Sequence, residues 1–341
     1  MKRVYIFLVV VALSVVSLNA QDIHFSQFYM APLTQNPAMA GAMNTSEVYF
    51  NYKNQWNNVT SPYKTFALSA MTRLGKPKKD KAHWAIGLNF FSDQSGDGKL
   101  TTTSGDFTLA LQIPLNKYNK LGLGLQSGFG QVRINFSEFQ WGSQYSAGAY
   151  DPNQATGEAS ATNQFGYLDF SSGIVWSYNK TSGAIKTSSN QFNKGSIGFS
   201  VFHINQPLYS FVNSGDKLNL KYVFHGNYLY SFEDTKFAIN PGFMYYRQGP
   251  AQQLLLGTLV RYNILPESKY TGAFNGGGIY LGGFIRAKDA VVLATMFEFS
   301  NITLGFSYDI NTSPLRTASN GKGGMEFSLR IVGRSKGKGF K

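Results

Sequence analysis

The sequence predicts an all-β protein, a closed antiparallel transmembrane barrel of about fourteen strands with an irregular N-terminal plug or arm, on three observations. Large apolar residues alternate with small or polar ones in run after run along the chain. The polar sides of those runs are rich in glycine, of which there are 36 in 341 residues. Aromatic residues make up 15% of the chain and gather at the ends of the apolar runs, as an interfacial girdle requires. The mean hydropathy of −0.19 is low for a membrane protein. It suits strands that are apolar on one face only.

The first element is an export segment. Lys2 and Arg3 precede an almost continuous apolar run, Val4 to Val16, and small or polar residues then lead to Ala20. A basic start, a short apolar centre and a small-residue exit are the parts of a signal peptide, with cleavage expected after Ala20. The run is too short for a membrane helix, which needs roughly twenty apolar residues. No later stretch is apolar enough for one. Cysteine is absent, so neither disulfides nor a lipid-anchoring cysteine are available.

The strands follow. Phe107, Leu109, Leu111 and Ile113 alternate with Asp106, Thr108, Ala110 and Gln112. Leu121, Leu123, Leu125 and Phe129 alternate with Gly122, Gly124, Gln126, Gly128 and Gly130. Ile302, Leu304, Phe306 and Tyr308 repeat the pattern, as do Met325, Phe327, Leu329 and Ile331. Seven strands are expected near 47–54, 65–73, 82–92, 104–113, 121–133, 167–179 and 195–204. Seven more are expected near 221–232, 236–246, 252–262, 277–287, 290–299, 302–309 and 324–331. The runs at 47–54, 236–246 and 277–287 alternate poorly, which leaves the count open by two. An even count lets a bacterial barrel close with both termini in the periplasm.

This divides the chain into a signal peptide (1–20), a plug or arm (21–46), a barrel (47–332) and a basic tail (333–341). The segment 21–46 holds Pro32, Pro37 and Gly41, too many turn residues for a helix of any length. It is expected in the lumen or beneath the barrel, with the Asn36-Pro37-Ala38 turn bracing it. The largest outward connection is 134–166, and long periplasmic connections at 180–194 and 263–276 leave surface for partners. Net charge is +13, with basic clusters at Lys76–Lys81 and Arg334–Lys341. They sit at turns or tails near lipid phosphates and form no stripe of the kind that binds nucleic acid.

Little points to catalysis. His24, His83, His203 and His225 are scattered without metal-ligand spacing. There is no nucleophile elbow and no phosphate loop; Gly276–Gly278 matches one only in composition. Asp93, Asp97 and Gly98 lack the ligand set of a calcium loop. No catalytic residue, metal or cofactor is expected.

Six elements, in order, resemble one family. The segment Gln21-Asp-Ile-His-Phe-Ser-Gln-Phe-Tyr-Met to Asn36-Pro-Ala-Met-Ala-Gly41 is similar to the mature start of the PorP/SprF proteins of Bacteroidota. Asn54-Gln55-Trp56 with Ser61-Pro62-Tyr63 resembles their first outer loop, and Trp141-Gly-Ser-Gln-Tyr145 a later one. Gly198 to Pro207, Ser307 to Leu315 and Gly323-Gly-Met-Glu326 complete the set. Lys53, Ser143 and Met325 depart from the residues usual in that family. The resemblance implies an outer-membrane component of the type IX secretion system that is not itself the export pore. It implies contact with periplasmic ring and lipoprotein subunits, and a role in secretion or surface attachment of particular cargo through its C-terminal domain, gliding adhesins among them.

Candidate partner-binding residues are Gln55, Trp56, Tyr63, Trp141, Tyr145, His203 and Gln206; Asn36 and Pro37 are the plug turn. Gln55, Trp56 and Tyr63 combine flat apolar area with hydrogen-bonding groups, as interface anchors do. Trp56 and Tyr63 suit a membrane girdle equally well. His203, Gln206 and Pro207 end a strand, where proline stops ladder donation. Two other functions compete: an outer-membrane transporter of hydrophobic small molecules with an N-terminal hatch, and a soluble secreted β-protein that binds glycans.

Overall fold

The computed structural model describes residues 22, 24–56, 61–75, 81–146, 149–157, 163–181, 192–211, 215–265, 276–314 and 316–333. The expected signal peptide, most of the basic cluster at 76–81 and nearly all of the basic tail lie outside them.

Fourteen strands close into one antiparallel barrel. They are β1 (Ser46–Gln55), β2 (Tyr63–Arg73), β3 (His83–Ser95), β4 (Leu100–Pro114) and β5 (Asn119–Arg133). After a small outer hairpin of β6 (Tyr145–Ser146) and β7 (Ala149–Tyr150) come β8 (Gln164–Thr181), β9 (Phe192–Phe202) and β10 (Lys221–Ser231). The rest are β11 (Phe237–Gln248), β12 (Ala251–Leu265), β13 (Gly277–Arg286), β14 (Ala290–Phe299), β15 (Ile302–Asn311) and β16 (Lys322–Val332). Closure comes from β1, which pairs with β2 on one side and β16 on the other, Phe50 facing Leu68 and Leu329. No strand edge is left for lipid to desolvate.

Alternation sorts the faces as expected. On β4, Thr108, Ala110 and Gln112 are fully buried while Phe107 and Leu109 point outward. On β5, Leu125 is 64% exposed, a value a water-facing leucine strand would not sustain and a lipid-facing one requires. Trp84, Trp176, Tyr228, Phe237 and Tyr262 ring the periplasmic end, with Phe237 and Tyr262 centroids 5.1 Å apart. The end that carries the connection from β5 to β8 is the outer one, by the rule that bacterial barrels keep their long loops outside.

Two differences from the sequence pattern have physical causes. β4 and β8 run beyond their expected bounds because the ladder continues past the membrane. There Thr101, Thr102 and Thr103 keep pairing after the apolar alternation has stopped. β9 ends at Phe202, well before Pro207, so proline is not what stops it: His203 takes a left-handed φ of 59° and turns the chain.

Two of the three poorly alternating strands, β11 and β13, also find their reason. Met244 and Tyr246 on β11, and Tyr280 and Phe284 on β13, face the lumen and are buried there. Both faces of these strands are therefore apolar, one against lipid and one against the plug. In β11, Pro241 has no amide to donate, and the β10–β11 pairing lapses between Asn227–Gly242 and Tyr230–Ile239 without a change of register.

The plug is a chain of three 3-10 turns, Phe28–Met30, Pro32–Thr34 and Pro37–Met39. Pro32 and Pro37 sit at the start of the second and third, where a missing amide costs nothing. Asn36 caps the third, its Oδ1 accepting from the Ala38 amide at 2.9 Å. The segment descends the lumen. Asp22 lies against Gln248 at the outer end of β11, and the Gly41 carbonyl accepts from Arg73 at the periplasmic end of β2.

Candidate functional site

The plug and the lumen wall make one unit, and two kinds of wall hold it. On one side, glycines bring the strand backbones close. A Cβ on Gly124 would run into the backbone of Pro37 and Ala38, and one on Gly173 into the Asn36 amide. Gly198 leaves the room that Asn36 Nδ2 occupies, at 2.7 Å from where its Cβ would stand. Asn36 Nδ2 then reaches the carbonyls of Ile174 (2.9 Å) and Phe199 (3.2 Å), and lies 3.2 Å from His225 Nε2. Gln112 Nε2 donates to the carbonyls of Ala38 and Ala40, both at 2.8 Å. The glycine-rich luminal faces are a docking groove for a short peptide.

On the other side the wall is apolar. Phe28 and Met30 pack among Val223, Met244, Leu255, Leu259, Phe284 and Val292. Between the two walls, near the β1–β16 closure, charge fixes the segment. Glu326 accepts from the Ser26 amide (2.6 Å) and the Gln27 amide (2.9 Å) while pairing with Lys53 at 3.0 Å. Lys53 Nζ also donates to the His24 carbonyl at 2.8 Å. Asp309 accepts from Ser26 Oγ (2.9 Å) and Arg286 (2.8 Å). Lys53, Glu326, Arg286 and Asp309 are all essentially buried, so each ion depends on its partner.

Above the plug is a cavity of about 440 Å³ at the outer mouth. Four carboxylates line it, Asp22, Asp93, Asp106 and Asp169, against the cations of His203 and Lys221. His203 bridges two of them, with Nε2 2.7 Å from Asp22 Oδ2 and Nδ1 2.9 Å from Asp169 Oδ2. Burial alone would discharge the ring, but the two aspartates outweigh it and raise its pKa to about 9. Lys221 Nζ joins Asp22 at 3.2 Å. Although burial of Asp22 opposes ionisation, Lys221 and His203 hold its carboxyl well below the usual range. Asp22 is thus tied to β10, to β11 through Gln248 and to the end of β9.

The sequence-derived candidates divide among three places. Gln55, Trp56, Tyr63 and His203 line this one cavity. Trp56, at a left-handed φ of 56°, stands edge to face on Tyr63 with centroids 4.8 Å apart. The pair faces the mouth of the lumen, whereas girdle aromatics face lipid. Trp141 and Tyr145 lie in the outer loop. Trp141 packs on Phe139 (5.7 Å) and Tyr145 on Tyr150 across the β6–β7 hairpin (5.4 Å). Gln206, also at positive φ, is exposed and does not join the cavity. Asn36 and Pro37 are buried in the plug.

Below the plug a second cavity of about 310 Å³ opens at the periplasmic end and shares no lining residue with the first. Met30, Met39, Met43, Met71 and Met296 contribute to it. Among the described residues no group of His, Asp and Glu is placed to hold a metal.

The luminal carboxylates were the part that sequence reasoning missed. Asp106 stands on the polar side of an alternating run, and Asp93 one residue past the strand expected near 82–92. Their meeting with Asp169 depends on the register of four strands. Asn89 faces Asp106, Asp106 faces Gly128 and Gly128 faces Asp169, one rung across β3, β4, β5 and β8.

A closed barrel with a lipid-facing belt, its own N-terminal segment packed inside the lumen, is an outer-membrane protein with an internal plug. The family follows from sequence: the model of the type IX secretion system membrane protein PorP/SprF matches residues 17–331, and the chain belongs to that family. The resemblance drawn from the six motifs is thereby borne out. No curated protein matches the sequence. Solved structures with a similar fold include the CymD monoaromatic hydrocarbon channel, at 10% identity and TM-score 0.47, covering 90% of this chain and 94% of that one. The TodX deltaS2S3 mutant monoaromatic hydrocarbon channel has 9% identity and TM-score 0.41, covering 89% and 92%. BamA from Haemophilus ducreyi lacking POTRA domains 1–3 has 12% identity and TM-score 0.39, covering 84% and 70%. Likeness this distant says nothing of what the barrel binds. The chain is an outer-membrane component of the type IX secretion machinery.

Proposed function

We propose that this barrel is a non-catalytic platform that assists secretion or surface anchoring of specific cargo, gliding adhesins being the example its family suggests. Cargo is held by its C-terminal domain at the outer mouth. Periplasmic ring and lipoprotein subunits of the apparatus contact the inner end. In this reading residues 1–20 are a signal peptide cleaved after Ala20, and 333–341 a basic tail in the periplasm.

The observation that carries the proposal is the anchored plug. Residues 24–45 occupy the middle of the lumen and are fixed by the Lys53–Glu326 and Arg286–Asp309 pairs. Breaking a buried pair by removing one partner costs about 3–5 kcal/mol. A segment held that way suits a scaffold whose two ends serve different proteins. The competing transporter of hydrophobic small molecules needs an apolar pocket; the outer cavity has apolar lining from Phe25, Leu33, Phe91 and Phe202, but four aspartates stand among these residues.

Deletion of the gene and complementation with the wild-type chain test this. The expected result is loss of specific surface cargo, unchanged permeability to small molecules, and recovery of ring subunits or a cargo C-terminal domain with the tagged barrel after mild extraction. Normal cargo display together with loss of uptake of a hydrophobic solute would overturn it.

A further inference from the structure

The barrel wall is stepped at its outer rim. β8 pairs with β5 from Gln164 onward but with β9 only from Ser172, so Gln164 to Ser171 have a barrel strand on one side alone. In an antiparallel strand the amide and carbonyl of a residue point to the same side, and alternate residues point to opposite sides. The Asn163 carbonyl accepts from the Ile134 amide, on the β5 side. Gln164, Gly166, Leu168 and Phe170 therefore present their main-chain groups to the open side.

The chain that follows β9 covers only the lower part of this edge. Phe170 accepts from the Ile204 amide at 2.9 Å and donates to Asn205 Oδ1 at 3.2 Å, and Asn205 Nδ2 reaches the Leu168 carbonyl at 2.7 Å. There the cover stops. His203 has turned the chain, and the β8–β9 register, if continued, would set Pro207 opposite Gly166 with no amide to give. Tyr209 and Phe211 then fold over the mouth, their rings 5.1 and 4.8 Å from that of Phe165. The Leu168 amide and the main-chain groups of Gly166 and Gln164 are left without a hydrogen-bond partner among the described residues. Gly166, which has only main chain to show, is exposed. Proteins usually guard such an edge with a charge, a proline or a bulge. Gln164-Phe-Gly-Tyr-Leu168 carries no charge and no proline, and its pairing with β5 has no bulge.

We propose that this overhang of β8 is a docking edge for a β-strand of the cargo C-terminal domain, which adds antiparallel to Gln164–Leu168 above the end of β9. Main-chain rungs supply the affinity, and the side chains beside them the selectivity. The Phe129 ring leans over Gly166, where a Cβ would meet it, so a large apolar residue across from Gly166 packs on that ring. A second copy in the same membrane is a poor fit: its β8 runs in the same sense, which excludes antiparallel rungs between the two edges. Periplasmic subunits are at the other end of the barrel. The proposal deepens the platform reading and rests on it for the identity of the partner as secreted cargo.

The test uses the full-length mature barrel, produced by itself and, separately, recovered with its cargo after mild extraction. Hydrogen exchange is followed amide by amide by NMR. In the barrel alone the Gly166 and Leu168 amides are expected to exchange near their intrinsic rates, while that of Tyr167, paired with Gly130, is protected. With cargo bound, Gly166 and Leu168 should slow by about tenfold or more. Gly166→Pro removes one edge amide and leaves the β5 ladder whole, because that amide faces away from β5. It should lower cargo recovery by about tenfold with heat-modifiable gel mobility unchanged. If this variant does not fold, the exchange rates of the wild-type barrel decide the matter. Protection of both amides in the barrel alone overturns the proposal, and if that protection grows with barrel concentration a second copy is the occupant. Exchange unchanged by bound cargo also overturns it and leaves the platform standing. A wild-type barrel that recovers no cargo removes the platform reading, and this inference with it.

Discussion

The two walls of the lumen hold the same plug by opposite means. Along β10 to β14 the wall is made of large apolar side chains, and contact with Phe28 and Met30 is side chain on side chain. Along β4, β5, β8 and β9 it is made of glycine and amide groups, and contact with Asn36 to Ala40 is close and backbone-directed: Gly124 lies against the backbone of Pro37 and Ala38, and the Asn36 and Gln112 side chains donate to main-chain carbonyls. Side-chain packing is non-directional and forgiving, because a truncated residue leaves a cavity and little else moves. Close backbone approach is unforgiving, because a single added carbon has nowhere to go. The apolar wall supplies affinity for the plug, and the glycine wall sets its position.

That contrast orders the expected effects. The largest comes from the glycine wall. Gly124→Val together with Gly173→Val should prevent Asn36–Ala38 from seating, beyond the about 1–3 kcal/mol typical of an overpacked core. Planar-bilayer recordings should then show a steady conductance absent from wild type, and a wild-type trace would break the contrast. Phe28→Ala, on the apolar wall, should cost about 3–5 kcal/mol of stability and still leave the plug in place. Lower thermal stability with no new conductance is the outcome to look for. Asn36→Ala strands the carbonyls of Ile174 and Phe199 and should cost about 1–3 kcal/mol. Proteolysis at the plug should become faster while the barrel survives.

The smallest effect is one of pH at the outer end. The His203 pKa is raised above its ordinary 6.5 to about 9, so its tie to Asp22 and Asp169 stabilises fully below pH 6.5 and is lost as the pH rises through about 9. Asp22 has a lowered pKa, so its contribution is present above the usual carboxylate range and is lost only in strong acid. The tether is firmest between about pH 4 and 6.5. Exchange of the Asp22 amide, which donates to Gln248 at 2.9 Å, should accelerate toward pH 9 beyond the intrinsic rate. The conductance should stay as it was, since both walls are untouched.

Most of the barrel was legible in the sequence because a two-sided wall must alternate. Thr108, Ala110 and Gln112 against Phe107 and Leu109 leave one assignment only. Legibility failed where both faces became apolar, as with Tyr280 and Phe284 opposite Leu281 and Ile285, and where strands left the membrane. The site was legible in part. Gln55, Trp56, Tyr63 and His203 were picked out one by one, yet nothing in their spacing says that they share a cavity with Asp22.

By itself the sequence determined the fold class, the family, the strand number to within two and the presence of an irregular segment before the first strand. Each is local or periodic: a two-residue repeat, a glycine count, a short motif. Only the tertiary structure decided that this segment runs down the lumen, that the glycines exist to let it approach, and that four aspartates from the plug, β3, β4 and β8 gather at the outer mouth. Such facts depend on strand register and on closure of β1 with β16, which bring together residues about 300 positions apart, as with Ser26 and Glu326. Pairing at that distance is set by the whole barrel at once, and no local pattern records it.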